Sequence, residues 1–146
     1  MKADNVIRMQ VESRSCNEGF ARVAVAAVAA QLDPTLEEVS EIKTAVSEAV
    51  TNSIVHGYGD TIGMIYITVK RIGRKIQVVI RDKGKGIEDI ERAREPLYTT
   101  STGGERSGMG FTIMETFSDR LRVSSRPGRG TRVTLEKTIY GKDDPR

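Results

Sequence analysis

The chain has 146 residues, of which 38% are hydrophobic and 29% charged, a size and composition that fit one globular domain with its own core. Its most apolar run, over residues 23–30, is far shorter than the ~20 residues that span a bilayer, and no basic and then apolar leader opens it. The lone cysteine, Cys16, excludes an internal disulfide and is interpreted as a reduced thiol. We therefore expect a cytoplasmic protein without a membrane partner.

The first part of the chain predicts one strand and two helices. Residues 6–12 alternate between apolar and polar, which is the pattern of a half-buried strand. Two capping boxes each precede an apolar helical pattern: Ser15 with Glu18 before a helix over 20–32, and Thr35 with Glu38 before a longer helix that ends near His56.

The second part predicts two strand pairs with an irregular segment between them. The pairs are 64–70 with 75–81, and 121–126 with 131–137. The segment from Asp82 to Gly110 is rich in Gly, Ser and Thr, with a short helix over 88–94 and another helix at 111–117 after it. Compact domains keep long irregular connections mainly for function, so we interpret this one as a lid. The fold class is α+β: one two-layer α/β sandwich over residues 1–140, with a mixed, mainly antiparallel sheet, helices on one face and a flexible tail at 141–146.

Charge is unevenly distributed along the chain. Residues 33–60 carry six acids and one base, residues 70–85 seven bases and one acid, and residues 120–132 five arginines and no acid. Basic stripes can serve nucleic acid, but the chain has no Trp and no recognisable nucleic-acid-binding motif. We expect no direct nucleic-acid partner and interpret the stripes as solvated strand faces or a protein-docking surface.

Three short motifs carry residues suited to nucleotide chemistry. Glu48 and Asn52 lie four apart on the long helix, so they share one face; an amide oxygen suits Mg²⁺ and a free carboxylate can accept a proton. Asp82 ends a strand before Gly84, Gly86 and Ile87, where a carboxylate can accept from an exocyclic amine while the glycines let backbone pass close to a flat ligand.

The third motif, Arg106-Ser-Gly-Met-Gly110, opens a helix whose N–H groups favour anions. The guanidinium of its arginine can donate two hydrogen bonds to a phosphate. Read alone, each motif also fits a purely structural interpretation: a solvated helix face, a turn, or a helix-entry turn.

The order of the three motifs resembles the N, G1 and G2 boxes of the GHKL superfamily of ATPases and kinases. The stretches 41–58, 96–100 and 105–115 are similar to the N box, lid and G2 region of the anti-sigma serine kinases, nearest the anti-sigma-F family, with the anti-sigma-B kinases close behind. The resemblance covers nearly the whole chain, up to about Lys137. It implies the GHKL (Bergerat) ATP-binding fold with a long ATP lid.

The resemblance also implies residue roles. Glu48 is expected to be the catalytic base, Asn52 to hold Mg²⁺, Asp82 to bind the adenine amine and Arg106 to lie near the γ-phosphate. The remaining residues expected to contact ATP or ADP are Gly84, Gly86, Ile87, Thr99, Thr100, Ser107, Gly108, Met109, Gly110 and Thr131.

By the same resemblance, the chain is a protein-serine kinase that works as a homodimer, inhibits a sporulation sigma factor and phosphorylates a serine on an anti-anti-sigma factor. The alternative is a nucleotide-gated anti-sigma module of the stress-response type with weak or no kinase activity. The retained Glu48 favours the kinase, because a pure binding module needs no base.

Overall fold

Five strands form one sheet in a computed structural model that describes residues 2–95 and 109–142. The strands are β1 (Asn5–Glu12), β2 (Met64–Ile72), β3 (Lys75–Asp82), β4 (Arg120–Arg126) and β5 (Gly130–Thr138). Their order across the sheet is β1-β2-β3-β5-β4, and all four pairings are antiparallel. The sequence predicted a mixed, mainly antiparallel sheet, and the described strands are antiparallel throughout, with β5 turning straight back from β4 and pairing with β3.

The helices lie on one face of this sheet. They are α1 (Cys16–Ala29), α2 (Leu36–Asn52), α3 (Ile90–Ala93) and α4 (Gly110–Thr116). α2 packs between α1 and α4 and contacts the sheet. A 3₁₀ turn extends α1 to Leu32, and a π-helical turn, Ser53–Tyr58, extends α2. Within the two described ranges, no helix is long and apolar enough to cross a membrane.

The core lies between the sheet and the helices. It is formed by every second side chain of the strands and by the apolar side of α1 and α2. Along β2 and β3, alternate side chains are buried and the intervening ones are not. The largest fully buried side chains include Ile65, Ile67, Val69, Ile76, Val78, Ile80 and Val133 from the sheet, and Val25, Val46, Val50 and Met114 from the helices. This burial of apolar surface holds the two layers together.

The start of α2 is fixed by the capping box predicted there. The Thr35 hydroxyl accepts from the Glu38 backbone N–H at 3.0 Å, and the Glu38 carboxylate accepts from the Thr35 N–H at 2.9 Å. The buried Glu38 carboxylate also accepts from the N–H groups of Tyr140 (2.7 Å) and Gly141 (3.1 Å). These bonds connect the end of the described chain to the start of α2. The flexible tail at 141–146 stays a prediction, and residues 143–146 lie outside the described residues.

The capping box predicted at Ser15 and Glu18 is wrong. Ser15 makes no side-chain cap hydrogen bond, and α1 begins at Cys16. The Glu18 carboxylate instead lies 3.5 Å from the Arg22 guanidinium, one turn further along the same helix. The i,i+4 ion pair competes with the capping arrangement for the same carboxylate.

The face of the sheet opposite the core carries those bases of the two stripes that lie at outward strand positions. Its outward positions carry eight cations: Arg8, Lys70, Lys75, Arg81, Arg120, Arg122, Arg126 and Arg132. Among them lies Glu136, 8% exposed, which accepts a 2.8 Å hydrogen bond from Gln77. That hydrogen bond outweighs burial and, with the nearby cations of Lys75, Arg120 and Arg122, holds the pKa of Glu136 below its ordinary value.

Candidate functional site

Asp82 is the centre of a hydrogen-bonded cluster at one end of the sheet. It is the last residue of β3, pairs with Thr131 at the start of β5, and is 2% exposed. Its Oδ1 accepts from the backbone N–H groups of Gly84 (2.9 Å) and Thr131 (3.3 Å). Its Oδ2 accepts from the Ser53 hydroxyl at 2.7 Å. A buried carboxylate satisfied in this way has a fixed orientation, as a group that recognises a ligand needs.

The contribution of Ser53 was missed by the sequence analysis. Ser53 is the first residue of the π-helical turn, directly after Asn52, and is 2% exposed. The helix was predicted to end near His56 as an ordinary α-helix, whereas its last turn is π-helical; such turns often occur at functional sites. No local pattern relates Ser53 to Asp82, because the two residues are 29 positions apart in the sequence.

The segment that follows Asp82 and contains Gly84, Gly86 and Ile87 is called the Asp82 loop. Its two glycines are required because the protein's own backbone packs closely against them. A Cβ on Gly84 would lie 2.2 Å from the Gly57 carbonyl oxygen, and a Cβ on Gly86 would lie 2.0 Å from the Arg126 carbonyl oxygen. Gly86 also has a positive φ of 77°. From the sequence, these glycines were expected to let a ligand approach the backbone closely. The structure gives a different reason, because the loop packs on the π-helical turn and on the β4–β5 turn.

Ile87 and Thr131 are joined through Ser125 on β4. The Ser125 hydroxyl accepts from the Ile87 backbone N–H at 2.8 Å, donates to the Gly130 carbonyl at 2.8 Å and lies 2.9 Å from the Thr131 hydroxyl. The Ser125 and Thr131 hydroxyls are thus within hydrogen-bond distance of each other, and either can be the donor. Ser125 therefore ties the end of the Asp82 loop to the strand that carries Thr131.

Tyr58 closes the other side of the cluster. Its hydroxyl donates to the Met64 carbonyl and accepts from the Lys83 backbone N–H at 2.8 Å. Burial raises the pKa of the Tyr58 hydroxyl above its ordinary value, which keeps it protonated as a donor. The ring lies over Gly63, where a Cβ would come 2.2 Å from a ring carbon. The phenol thus connects the end of the helical segment, the start of β2 and the Asp82 loop.

Glu48 and Asn52 lie beside this cluster at the C-terminal end of α2. They are one helical turn apart and both are half-buried. α4, which begins at Gly110 just after Met109, packs against α2. The contact between Ser53, which follows Asn52, and Asp82 brings the end of α2 to the ends of β3 and β5. Asp82, Gly84 and Thr131 lie at those strand ends, and Glu48 lies one turn before Asn52 on α2. Thr99, Thr100, Arg106, Ser107 and Gly108 lie outside the described residues.

The donor groups present fit a nucleotide with Mg²⁺. Asp82 supplies a fixed buried acceptor for a base amine, and Asn52 supplies a neutral oxygen. No cluster of three or more His, Cys, Asp or Glu that could hold a metal occurs within residues 2–95 and 109–142. A dedicated protein cage for a metal is therefore missing from that part of the chain. Mg²⁺ typically takes one or two protein oxygens and completes its shell with phosphates and water, which matches a single amide ligand.

Comparison with protein families and curated relatives gives a consistent assignment. The family described as "Histidine kinase-like ATPase domain" matches residues 13–137. An anti-sigma F factor from Thermoanaerobacter sp. (strain X514) is 56% identical over 139 residues, covering 95% of this chain and 97% of the relative. The anti-sigma F factor of Clostridium novyi is 54% identical over 136 residues, covering 92% and 95%. That of Anoxybacillus flavithermus is 56% identical over 136 residues, covering 92% and 93%.

Solved structures with low sequence identity share the fold. The RsbU and RsbW domains of a Mycobacterium tuberculosis protein superpose with a TM-score of 0.66 at 16% identity, over 92% of this chain and 32% of that one. The catalytic domain of the histidine kinase ThkA, in a nucleotide-free form, gives a TM-score of 0.59 at 18% identity, over 90% of this chain and 96% of that one. The fold, the matched domain and the relatives agree, and the chain belongs to the anti-sigma F factor family, whose ATPase domain is of the histidine kinase type.

Proposed function

We propose that this anti-sigma factor binds and inhibits a sporulation sigma factor of the sigma-F type and uses Mg-ATP to phosphorylate a serine on an anti-anti-sigma factor. The family name supports a sigma factor as partner, and the ATPase domain supports nucleotide binding. The observation that carries the kinase assignment is the position of Glu48. It lies one turn before Asn52, half-buried, on the helix whose extension donates to Asp82.

In this proposal Asp82 recognises the adenine end of the nucleotide. Its carboxylate keeps a lone pair on Oδ2 after accepting from Ser53, Gly84 and Thr131. Ile87 lies on the loop that follows and packs against the core, so it offers apolar surface to a base. Thr131 offers the hydroxyl that Ser125 orients.

Glu48 and Asn52 serve the phosphate end. Asn52 would hold Mg²⁺, and the ion would supply neutralisation of phosphate charge during phosphoryl transfer. Glu48 accepts the proton of the attacking serine hydroxyl as the new bond between the serine oxygen and the γ-phosphorus forms, while the bond from that phosphorus to the bridging oxygen breaks and ADP leaves. Arg106, Ser107 and Gly108, with Met109 and Gly110, are assigned to the phosphates, and Thr99 and Thr100 to the lid.

The assembly that follows is a cytoplasmic homodimer that meets two proteins, the sigma factor and the serine-bearing anti-anti-sigma factor, without direct contact with nucleic acid or membrane. A nucleotide-dependent choice between these partners requires that the γ-phosphate stabilise one conformation over another. The segment between Asp82 and Gly110 is the part of the chain assigned to that role.

The test is transfer of labelled γ-phosphate to a purified anti-anti-sigma factor. Glu48→Gln should lower transfer by ~10²–10⁴-fold, the usual contribution of a general base, while ATP binding measured by calorimetry stays within about threefold. Glu37→Gln, on the exposed first turn of the same helix, is the matched control and should transfer normally. Full transfer by the Glu48 variant would remove this residue from the base role.

A further inference from the structure

Ser53 uses its hydroxyl differently from two threonines on the helix that it extends. Thr44 and Thr51 donate to backbone carbonyls four residues earlier, at 2.8 and 2.7 Å. Such bonds within a helix are local and need no tertiary partner. Ser53 instead donates at 2.7 Å to Oδ2 of Asp82 on β3, and both residues are 2% exposed. A buried hydroxyl directed at a buried carboxylate is a tertiary contact that the helix itself does not require.

The acceptor sites of Asp82 are almost all occupied. A carboxylate offers about four lone-pair positions. On Oδ1, two of these positions accept hydrogen bonds from the backbone N–H groups of Gly84 and Thr131. On Oδ2, one position accepts the hydrogen bond from the Ser53 hydroxyl. Counting the contacts from residues 2–95 and 109–142, one acceptor position on Oδ2 remains, and its direction depends on where Ser53 holds that oxygen.

We propose that Ser53 is a positioning residue that makes the site selective for a base with an exocyclic amine; this inference rests on the proposed nucleotide function. With Oδ2 held in place, the free lone pair receives an amine N–H in good geometry. A base with a carbonyl at that position presents a second acceptor to the carboxylate, and two facing acceptors repel. Without the Ser53 hydroxyl, Oδ2 loses the one side-chain donor that it has among the described residues, so the carboxylate rotates more freely and distinguishes the two bases less well.

The test compares adenosine diphosphate with inosine diphosphate, in which a carbonyl replaces the amine, by calorimetry on the full chain with Mg²⁺. Ser53→Ala should weaken ADP binding about tenfold and inosine diphosphate binding less than about threefold, so that the preference for ADP falls. Ser53→Thr, which keeps the hydroxyl, should retain more of the preference than Ser53→Ala. Thr44→Ala removes a hydroxyl bonded only within its own helix in the described contacts and should leave the preference unchanged.

A double-variant cycle separates positioning from a merely structural role. In an Asp82→Asn background, Ser53→Ala should cause no further change in the preference, because the carboxylate on which it acts is gone. Equal weakening of both nucleotides by Ser53→Ala, or a further loss in the Asp82→Asn background, would overturn the inference. If the unaltered chain bound neither nucleotide, the proposed function itself would fail, a result distinct from either of these.

Discussion

The backbone of Gly84 packs directly against the backbone of Gly57: a Cβ on Gly84 would lie 2.2 Å from the Gly57 carbonyl oxygen and 2.7 Å from its Cα. The same carbonyl accepts a 2.9 Å hydrogen bond from the Lys85 N–H. Because Asp82 lies two residues before Gly84 and accepts from the Gly84 N–H, this contact sets the position of the carboxylate. The geometry of the candidate base pocket is thus determined by a contact between two glycines on different elements.

Replacing Gly84 with Ala should therefore disturb both stability and nucleotide binding. The methyl group meets rigid backbone rather than a movable side chain, so the loop must shift away from the π-helical turn. We expect a loss of about 1–3 kcal/mol in the free energy of unfolding, the usual cost of overpacking, and weaker ADP binding because Asp82 moves with the loop. Urea unfolding and calorimetry measure the two effects.

Gly19→Ala is the matched control, since Gly19 lies inside α1 and a Cβ there meets nothing closer than 3.7 Å. Alanine favours a helix over glycine by roughly 0.5–1 kcal/mol, so this variant should be as stable as the unaltered chain or more stable. An unchanged Gly84 variant would show that the loop and the helical turn move apart at little cost.

The elements were largely predictable from the sequence because they depend on local periodicity. The alternation in β3 buries Ile76, Val78 and Ile80 as expected, and the Thr35–Glu38 capping box starts α2 where predicted. The false capping box at Ser15 shows the limit of spacing rules, because Glu18 has a competing partner in Arg22. The bases of the stripes that lie at outward strand positions, such as Arg81 and Arg132, could not be assigned to one face of the sheet before the strand order was known.

The residues proposed for the site were predicted from the sequence, whereas the side chains that support them were not. Glu48, Asn52 and Asp82 were predicted because their motifs occur in a known order, and their roles stay predictions. Ser53 and Ser125 were not, since their hydroxyls serve Asp82 and the Ile87 backbone across the fold. Nothing about a single serine in a sequence indicates which distant group its hydroxyl will contact.

Glu38 should make folding stability depend on pH in the acid range. Burial alone would raise its pKa, but hydrogen bonds from the Thr35, Tyr140 and Gly141 backbone N–H groups outweigh burial and hold the pKa below the ordinary value. A carboxyl group with a lowered folded-state pKa contributes stability above its unfolded pKa of about 4.3 and loses it as the pH falls through the folded value. Its contribution is therefore complete at neutral pH.

Glu38→Gln should cost about 1–3 kcal/mol at pH 7, because two or more charge-assisted bonds are weakened. The difference from the unaltered chain should shrink as the pH is lowered from about 5 to 3, as denaturant unfolding at several pH values would show. Glu37→Gln changes an exposed carboxylate on the same helical turn and should cost only a few tenths of a kcal/mol. A Glu38 variant with the same loss at every pH would contradict the assigned charge role.

Glu136 should stabilise the basic face of the sheet in a salt-dependent way. Its carboxylate lies 3.7 Å from both Lys75 and Arg122 and is largely buried. Glu136→Gln keeps the size of the side chain but leaves those cations to repel one another. We expect a loss of roughly 1–2 kcal/mol at low ionic strength. The loss should diminish at about 1 M salt, where the Debye length falls to ~3 Å.

The control for Glu136 is Glu12→Gln, which removes an exposed carboxylate 2.9 Å from Arg14 near the edge of the sheet. Exposed pairs of this kind contribute about 0–1 kcal/mol, so we expect little change at either salt concentration. Urea unfolding of the unaltered chain and both variants at two salt concentrations gives the four differences in the free energy of unfolding. A Glu136 variant that becomes less stable as salt is added would contradict the repulsion argument.

Asn52 should link nucleotide affinity to Mg²⁺ without contributing to base recognition. Within the described residues no acidic or histidine cluster offers a metal another protein site, so removing the one amide oxygen should remove most of the protein's hold on the ion. In the unaltered chain, ADP should bind more tightly with Mg²⁺ than with a chelator. Asn52→Ala should lose roughly tenfold, about 1.4 kcal/mol, in the presence of Mg²⁺. With the chelator, the two proteins should bind ADP within about threefold of each other, because the Asp82 cluster is unchanged.

Asn17→Ala, which removes an exposed amide bonded to the Glu12 carbonyl, should keep the full effect of Mg²⁺. If Asn52→Ala also kept it, the metal would be held by the phosphates and other groups, and Asn52 would have to be reassigned to supporting the end of α2.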